Sequence, residues 1–477
     1  MARELLGIGI SFVAVFMVLG LSGALKKRGI SSEVSRKLVH ILLSNWIILA
    51  LFWFDAVWAV LVVPACFVVL NFYSYHKGLF KGIEREEGNT LGTVWYAVSL
   101  FLLCLAGWTL DMPWMAACAI LAMGYGDGLA ALVGTRFGRR YFPAPYAEKT
   151  LEGSLTVLLF SGLSVGLVCA FFAPGIAIAA AFSCGVIAMA AELYSPRGLD
   201  NLTLPLSVGL VIFLMTRFPA TTGAFICLGI TLLILILAFA AKSITPSGLH
   251  IAALMGVLLY VFGGWLSYSA LVAFFIFGSL ISRFGKSKKA GPSSLHQRRG
   301  ARGPAQVIAN AAPALALALA YRISGWEVFL LAVLASLGAA SADTFSSEIG
   351  MLSKSQPVSI LTFRKMEKGL SGGVTLLGLC GGALGALLIS PLALLSFGWT
   401  GFLLVFLCGI LGSILDSVMG AAFQAKYSLP DGKMTERPAL QGAPLPLAKG
   451  ISWINNDMVN FLSPLLCGAV CVLAFYS

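Results

Sequence analysis

Charge is scarce in this chain. Only 11% of its 477 residues are Asp, Glu, Lys or Arg, and just 20 are acidic. A globular domain with a water-exposed surface carries about a quarter charged residues, so a soluble enzyme is not expected. Histidine is scarcer still: His40, His76, His250 and His296 are the four, and they do not cluster. The ten cysteines all lie in apolar runs, with no CxxC or metal-ligand spacing in a loop, which argues against disulfides and structural zinc.

What the chain has instead is apolar length. Hydrophobic residues make up 59%, in continuous runs and not in the short alternating segments of a membrane β-barrel. About sixteen runs are long enough to cross a bilayer as helices: 5–24, 38–54, 56–75, 91–110, 113–133, 155–173, 175–192, 202–216, 223–241, 247–264, 266–282, 306–321, 327–342, 372–396, 399–424 and 458–476. The fold expected is all-α and polytopic, in two related halves, 1–225 and 226–477, divided near 219–246. With the N-terminus outside, only Arg3, Arg217 and Arg322 of the 32 Lys and Arg face out, leaving 29 inside. The opposite orientation would break the positive-inside rule nearly everywhere. The formal charge of +12 therefore reports orientation in a cytoplasmic (inner) membrane and attraction for phosphates; no nucleic-acid partner is expected. Lys26-Lys27-Arg28 after the first run mark it as a retained helix and not a signal peptide.

Against this background one polar motif occurs twice. The first copy is Gly126-Asp127-Gly128 through Gly134, followed by Lys149-Thr150-Leu151-Glu152-Gly153-Ser154. The second is Ala342-Asp343-Thr344 through Glu348 and Gly350, followed by Lys368-Gly369-Leu370-Ser371-Gly372-Gly373. In each, the Asp precedes a Gly by seven positions and a Lys precedes a Gly by four. Carboxylates at membrane depth are expensive and usually functional. Glycines let a phosphate approach closely, Asp can hold Mg²⁺ against phosphates, and a helix N-terminus favours an anion. Arg36, Lys37 and His40 open the second run; Asp200-Asn201 form a polar elbow; Arg299 and Arg302 precede the twelfth run. Asp416 lies about eight residues, roughly 12 Å, inside the fifteenth, and Asp457 opens the last. All of these loops are expected on the cytoplasmic side.

These motifs carry a resemblance. Arg36-Lys37-x-x-His40, Gly126-Asp127-x-x-Ala130, Lys149-x-x-Glu152-Gly153-Ser154 and Leu199-Asp200-Asn201 make the first half similar to the CTP-dependent membrane lipid kinases, phytol and dolichol kinase among them. Ser44 stands where that family usually has a glycine. Arg299-Gly300-Ala301-Arg302, Ala342-Asp343-Thr344, Ser371-Gly372-Gly373, Leu415-Asp416-Ser417 and Asn456-Asp457 make the second half resemble an integral-membrane family that includes plant phytyl-phosphate kinase. The resemblance implies a bifunctional isoprenoid kinase. One half would phosphorylate a long-chain alcohol (phytol, geranylgeraniol or farnesol), and the other its monophosphate, with CTP or another nucleoside triphosphate and Mg²⁺. Asp127, Lys149, Asp200, Asp343, Glu348 and Asp457 are expected to be catalytic. Arg36, Lys37, His40, Gly126, Gly128, Gly134, Glu152, Gly153, Ser154, Asn201, Arg299, Arg302, Gly372 and Gly373 are expected to bind nucleotide, and Asp127, Asp343, Glu348 and Asp416 to bind metal. Two rival readings share these motifs: CDP-lipid synthesis by a cytidylyltransferase, and a transporter built from repeats.

Overall fold

The computed structural model describes all residues except 28–30, 78–90, 140, 143–148, 197, 285–300, 431–433, 441–442 and 477. The chain is an all-α polytopic membrane protein with two compact units, Met1–Ile236 and Leu237–Ser477. Among the described residues, 13 helical segments are long and apolar enough to cross a bilayer. The difference from sixteen runs has a physical origin. Two of the 13, Pro246–Arg283 and Leu376–Ala422, each contain two of the expected spans. The third difference is Asp200–Arg217, whose Asp, Asn, Thr, Ser and Pro dilute its hydropathy although it is fully helical.

In the first unit, α1 (Ala2–Lys27), α2 (Ser32–Ser44), α3 (Trp46–Trp53), α4 (Val57–Lys77) and α5 (Gly92–Thr109) precede α6 (Pro113–Phe137). A short hairpin of β1 (Tyr141–Phe142) and β2 (Lys149–Thr150) leads to α7 (Leu151–Phe172), α8 (Ala177–Tyr194), α9 (Asp200–Arg217) and α10 (Thr222–Ala240). Helix α6 is the hub, packing on α2, α3, α5, α7, α8 and α9. Lipid tails are as apolar as leucine, so helices in a bilayer associate through close packing of small residues. The Ala- and Gly-rich sequence of α6 suits that role, and 72% of its apolar window is buried.

The second unit repeats the plan. It contains α11 (Pro246–Arg283), α12 (Pro304–Ser324), α13 (Val328–Gly350), the hairpin β3 (Val358–Ser359) with β4 (Gly373–Val374), α14 (Leu376–Ile389), α15 (Leu394–Ala422) and α16 (Asn456–Tyr476). Here α13 is the hub, against α11, α12, α14, α15 and α16, and 78% of its window is buried. The remaining segments of both units are only 22–50% buried, as expected of helices facing lipid.

Helix α11 doubles back at Gly264, whose φ of 67° and ψ of −167° break the helix. Both of its ends meet the same partner. The Arg302 carbonyl accepts from Thr245 N–H at 3.0 Å, while its guanidinium lies 5.6 Å from the Phe275 ring. A straight helix of this length would run roughly 57 Å, nearly twice the hydrocarbon core. Gly398 (φ 59°, ψ −158°) makes the same break within α15. Segments β5 (Lys426–Ser428), β6 (Met434–Thr435) and β7 (Leu447–Lys449) then form a small antiparallel sheet.

Tight helix contacts set the spacing around each hub. A Cβ on Gly162 of α7 would stand 2.7 Å from the Ala181 carbonyl oxygen of α8, a backbone atom that cannot rotate away. Gly162→Val should destabilise the protein by about 1–3 kcal/mol through overpacking. The check is the thermal midpoint in detergent, with Gly175→Ala, which has open space, expected to match the parent.

Candidate active site

The first unit gathers its polar residues around Asp127. Ser31 caps α2, accepting from Val34 N–H at 3.4 Å, and the first turns of that helix carry Arg36, Lys37 and His40 against α6. Lys37 Nζ donates to Asp127 Oδ2 at 2.6 Å and lies 3.4 Å from the Asp127 carbonyl oxygen. Both side chains are over 90% buried. His40 Nε2 stands 3.7 Å from the same carboxylate oxygen, and the His40 ring meets Tyr96 edge-on at 4.7 Å. A buried carboxylate needs a counter-ion, and Lys37 supplies it from 90 positions away in sequence.

Lys149 is engaged elsewhere. It forms a buried ion pair with Glu192 at the end of α8. Burial works to lower the Lys149 pKa, but the Glu192 carboxylate, with Asp200 and Asp127 further off, holds it above the ordinary lysine range. Asp200 opens α9, and its Oδ1 accepts from Asn201 N–H at 3.0 Å. Asn201 Nδ2 donates to the Gly92 carbonyl at 3.0 Å, whereas its buried Oδ1 has no hydrogen-bond partner among the described residues. Thr150 caps α7 by accepting from Gly153 N–H at 3.2 Å, which puts Glu152 and Ser154 in the first turn.

The glycines of α6 are used differently from a phosphate loop. The helix is continuous through Asp127. Gly126 meets Ser161 of α7, Gly128 meets Ile41 of α2, and Gly134 meets Thr150 and Gly153. Gly124 meets Ser44, whose hydroxyl donates to the His40 carbonyl at 2.8 Å and shares a 3.1 Å hydrogen bond with Tyr96. A serine facing a glycine is how this chain accommodates its departure from the usual motif. Glycine here permits helices to approach each other, and that approach delivers Lys37 and His40 to Asp127.

A pocket open to the surroundings on one side lies beside this cluster. Arg36, His40, Asn71, Tyr96 and Asn201 form its polar end, and residues such as Val15, Leu19, Trp46, Val63 and Leu100 form the rest. Sequence reasoning missed Tyr96, Asn71 and the partnership of Glu192 with Lys149. Each lies in a helix whose local pattern reads simply as a membrane span.

The second unit matches the first only in part. Thr375 caps α14 by accepting from Gly378 N–H at 3.0 Å, and Gly378 faces Gly350 just as Gly153 faces Gly134. The structural counterpart of Lys149-Thr150-x-x-Gly153 is therefore Val374-Thr375-x-x-Gly378. The four-residue Lys–Gly spacing at Lys368 and Gly372 does not correspond. Lys368 donates to the Ser353 carbonyl at 2.5 Å. Gly372, at φ 89°, packs against Ala421, and Gly373 against Met366 and Pro357. Neighbouring Ser371 donates its N–H to Glu436 at 2.7 Å, and its carbonyl accepts from Lys426 at 2.8 Å. Burial lowers the Lys426 pKa.

Asp343 and Glu348 do not meet. Five positions apart on α13, they point about 140° apart around the helix. Asp343 lies within hydrogen-bond reach of Asp416 on α15. Ser463 Oγ donates to Asp416 Oδ2 at 3.4 Å; the Asn460 amide, in the orientation its neighbours require, donates to the same oxygen at 3.3 Å. Glu348 instead lies in the field of Arg302; burial lowers the Arg302 pKa and Glu348 opposes the shift. Asp457 occupies the first turn of α16, one turn before Asn460. Arg299 falls outside the described residues. Among the described residues no three His, Cys, Asp or Glu converge as a ready-made metal cage.

The profile of the integral membrane protein family DUF92 matches residues 229–468. An uncharacterised membrane protein of Methanocaldococcus jannaschii is 32% identical over 239 residues, 49% of this chain and 87% of that protein. A phytol kinase of Synechocystis is 33% identical over 203 residues, 42% of this chain and 82% of that enzyme. A chloroplastic farnesol kinase of Arabidopsis thaliana is 31% identical over 161 residues, 31% of this chain and 51% of that enzyme. No solved structure matches.

The Lys149–Glu192 pair makes a prediction separable from catalysis. Lys149→Met leaves Glu192 uncompensated and should cost about 3–5 kcal/mol of stability, while adding Glu192→Gln should restore most of it. Thermal unfolding of the two variants checks this; equal loss in both would mean the pair is not coupled.

Proposed function

Since the chain belongs to the integral membrane protein family DUF92, and since its relatives include proteins named phytol kinase and farnesol kinase, we propose that it is an isoprenoid alcohol phosphotransferase. The observation that carries this reading is the junction in the first unit. His40, Arg36 and Asn201 border the apolar pocket, and His40 also borders the buried Lys37–Asp127 pair. A lipid alcohol lying in the pocket would present its hydroxyl where cations and carboxylates already converge. The finer reading is a fusion. The first unit phosphorylates the alcohol; the second, with Asp343 and Asp416, phosphorylates the monophosphate. The donor is CTP or another nucleoside triphosphate, and the motif loops face the cytoplasm across the cytoplasmic membrane.

The donor set suits Mg²⁺ arriving with a nucleotide. Magnesium usually takes one or two carboxylates and completes its shell with water and substrate phosphate oxygens. Asp127 is one such carboxylate, with Asp200 near it; in the second unit Asp343 and Asp416 are a pair. When bound, the ion neutralises phosphate charge. Lys37, Arg36 and Lys149 would hold the phosphates, and the first turn of α7, with Ser154, would offer N–H groups to an anion. The alcohol oxygen attacks the γ-phosphorus, its proton passes to the Asp200 carboxylate, and the bond from that phosphorus to the β-phosphate oxygen breaks, releasing the nucleoside diphosphate. Charge neutralisation and positioning supply most of the catalysis in such transfers.

Purified protein supplied with γ-labelled CTP and geranylgeraniol should yield labelled lipid mono- and diphosphate on thin-layer plates. A CDP-lipid product, or transport without nucleotide consumption, would overturn the reading. Asp127→Asn should lower alcohol phosphorylation by a factor on the order of 10² or more yet still convert supplied monophosphate. Asp343→Asn or Asp416→Asn should make the monophosphate accumulate. If any of these folded variants lost both steps, the two units would form one site, not two. Single cysteines at Arg139 and Lys365, both exposed, should react only with reagents admitted to the cytoplasm.

A further inference from the structure

The pocket in the first unit has a direction and a floor. Its walls come from antiparallel helices, yet the polar residues all gather at one end. On α2 and α3 the lining runs from Arg36 to Trp46; on α4 it runs in reverse, from Asn71 to Val63; on α5 it runs from Gly92 to Leu100. These separations of ten, eight and eight residues correspond to depths of roughly 12–15 Å at the helical rise.

Each end carries a distinguishing group. At the polar end the Asn201 amide is pinned, because Nδ2 donates to the Gly92 carbonyl at 3.0 Å. Its Oδ1 is consequently a fixed acceptor, buried and without a partner among the described residues. An acceptor-only oxygen is completed by a hydroxyl donor, not by a phosphate oxygen, so Asn201 is suited to an alcohol and not to the phosphates of a nucleotide. At the other end Trp46 is 7% exposed, and its bulky ring packs near Phe54 at 6.4 Å. Nothing polar lines the wall between these ends apart from groups on the first turn or two.

We propose that the pocket receives one isoprenoid alcohol in a fixed direction, with its hydroxyl on Asn201 Oδ1 and its tail running to Trp46, and that Trp46 sets the chain length accepted. The proposal rests on the kinase reading above. An isoprene unit contributes four main-chain carbons and advances roughly 5 Å at ordinary C–C lengths. The depth therefore accommodates about three units. Farnesol fits, geranylgeraniol overruns the depth by about one unit and must fold back at the indole, and long polyprenols do not fit.

Two measurements test this. The first is the kcat/KM profile over geraniol, farnesol, geranylgeraniol and a long polyprenol. Trp46→Ala should shift the longer-to-shorter preference by about tenfold or more, the scale of methylene discrimination in an apolar pocket. Ala97→Phe, which fills the wall from α5, should shift it the other way; it covers the case in which Trp46→Ala fails to fold. An unchanged profile in either folded variant overturns the proposal. The second measurement reads binding without turnover. Farnesol with a photoreactive diazirine at its terminal carbon should crosslink at Trp46 or a residue beside it, and farnesol with the group beside the hydroxyl at His40 or Tyr96, the attachment site being read residue by residue from fragment ions. Labelling that reverses this pattern, or that excess unlabelled farnesol does not compete away, would mean that the pocket holds a bulk lipid tail only. Correct labelling without phosphorylation would sink the kinase reading and leave the gauge standing. Phosphorylation with misplaced labelling would do the opposite.

Discussion

A carboxylate placed on the most buried helix of a membrane unit must be balanced, and the rest of the first unit is organised around how Asp127 is balanced. Its partner, Lys37, belongs to another helix and reaches it at 2.6 Å. That contact requires α2 and α6 to approach closely, and the close approach is what the glycines of α6 allow. Gly128 faces Ile41 and Gly124 faces Ser44 at successive turns of the same interface. The same approach brings His40 to the carboxylate and the adjoining α5 brings Tyr96 to His40. Small residues, ion pair and pocket are thus consequences of one packing decision.

The two units solve the same problem with different chemistry. Each has a small-residue hub helix, an Asp seven positions before a glycine, a β-hairpin, and a threonine-capped helix returning beside the hub. Around Asp127 the compensation is a lysine. Around Asp343 the neighbour is another carboxylate, Asp416, with a serine and an asparagine donating to it. Two carboxylates side by side in apolar surroundings call for a bridging cation or proton. The lysine of the first hairpin has become Val374, and the second unit gains a small sheet fastened through Ser371 to Glu436 and Lys426.

Much of this was legible in the linear pattern, because membrane crossing depends on local apolar length, and polar residues at depth are conspicuous against it. Most of the spans and the Asp, Lys and Asn positions worth attention follow from that contrast alone. The sequence misled where it invited a one-dimensional reading of three-dimensional equivalence. Lys368 and Gly372 reproduce the spacing of Lys149 and Gly153, yet the cap geometry equates Thr375 and Gly378 with Thr150 and Gly153. Asp343 and Glu348 look like a chelating pair in sequence, but helical rotation turns them apart.

Local pattern alone specifies the class of molecule: an all-helical membrane protein with two acidic motifs set in apolar helices. Only the tertiary structure decided the partnerships: Lys37 and not Lys149 on Asp127, Glu192 on Lys149, Asp416 on Asp343, and an apolar pocket ending at Asn201 and Trp46. The physical reason is range. Hydropathy and helical periodicity act over one turn or one span and are written locally. An ion pair across 90 positions, or a pocket walled by six helices, depends on how helices cross, and that is set by the summed fit of small side chains that no single segment encodes.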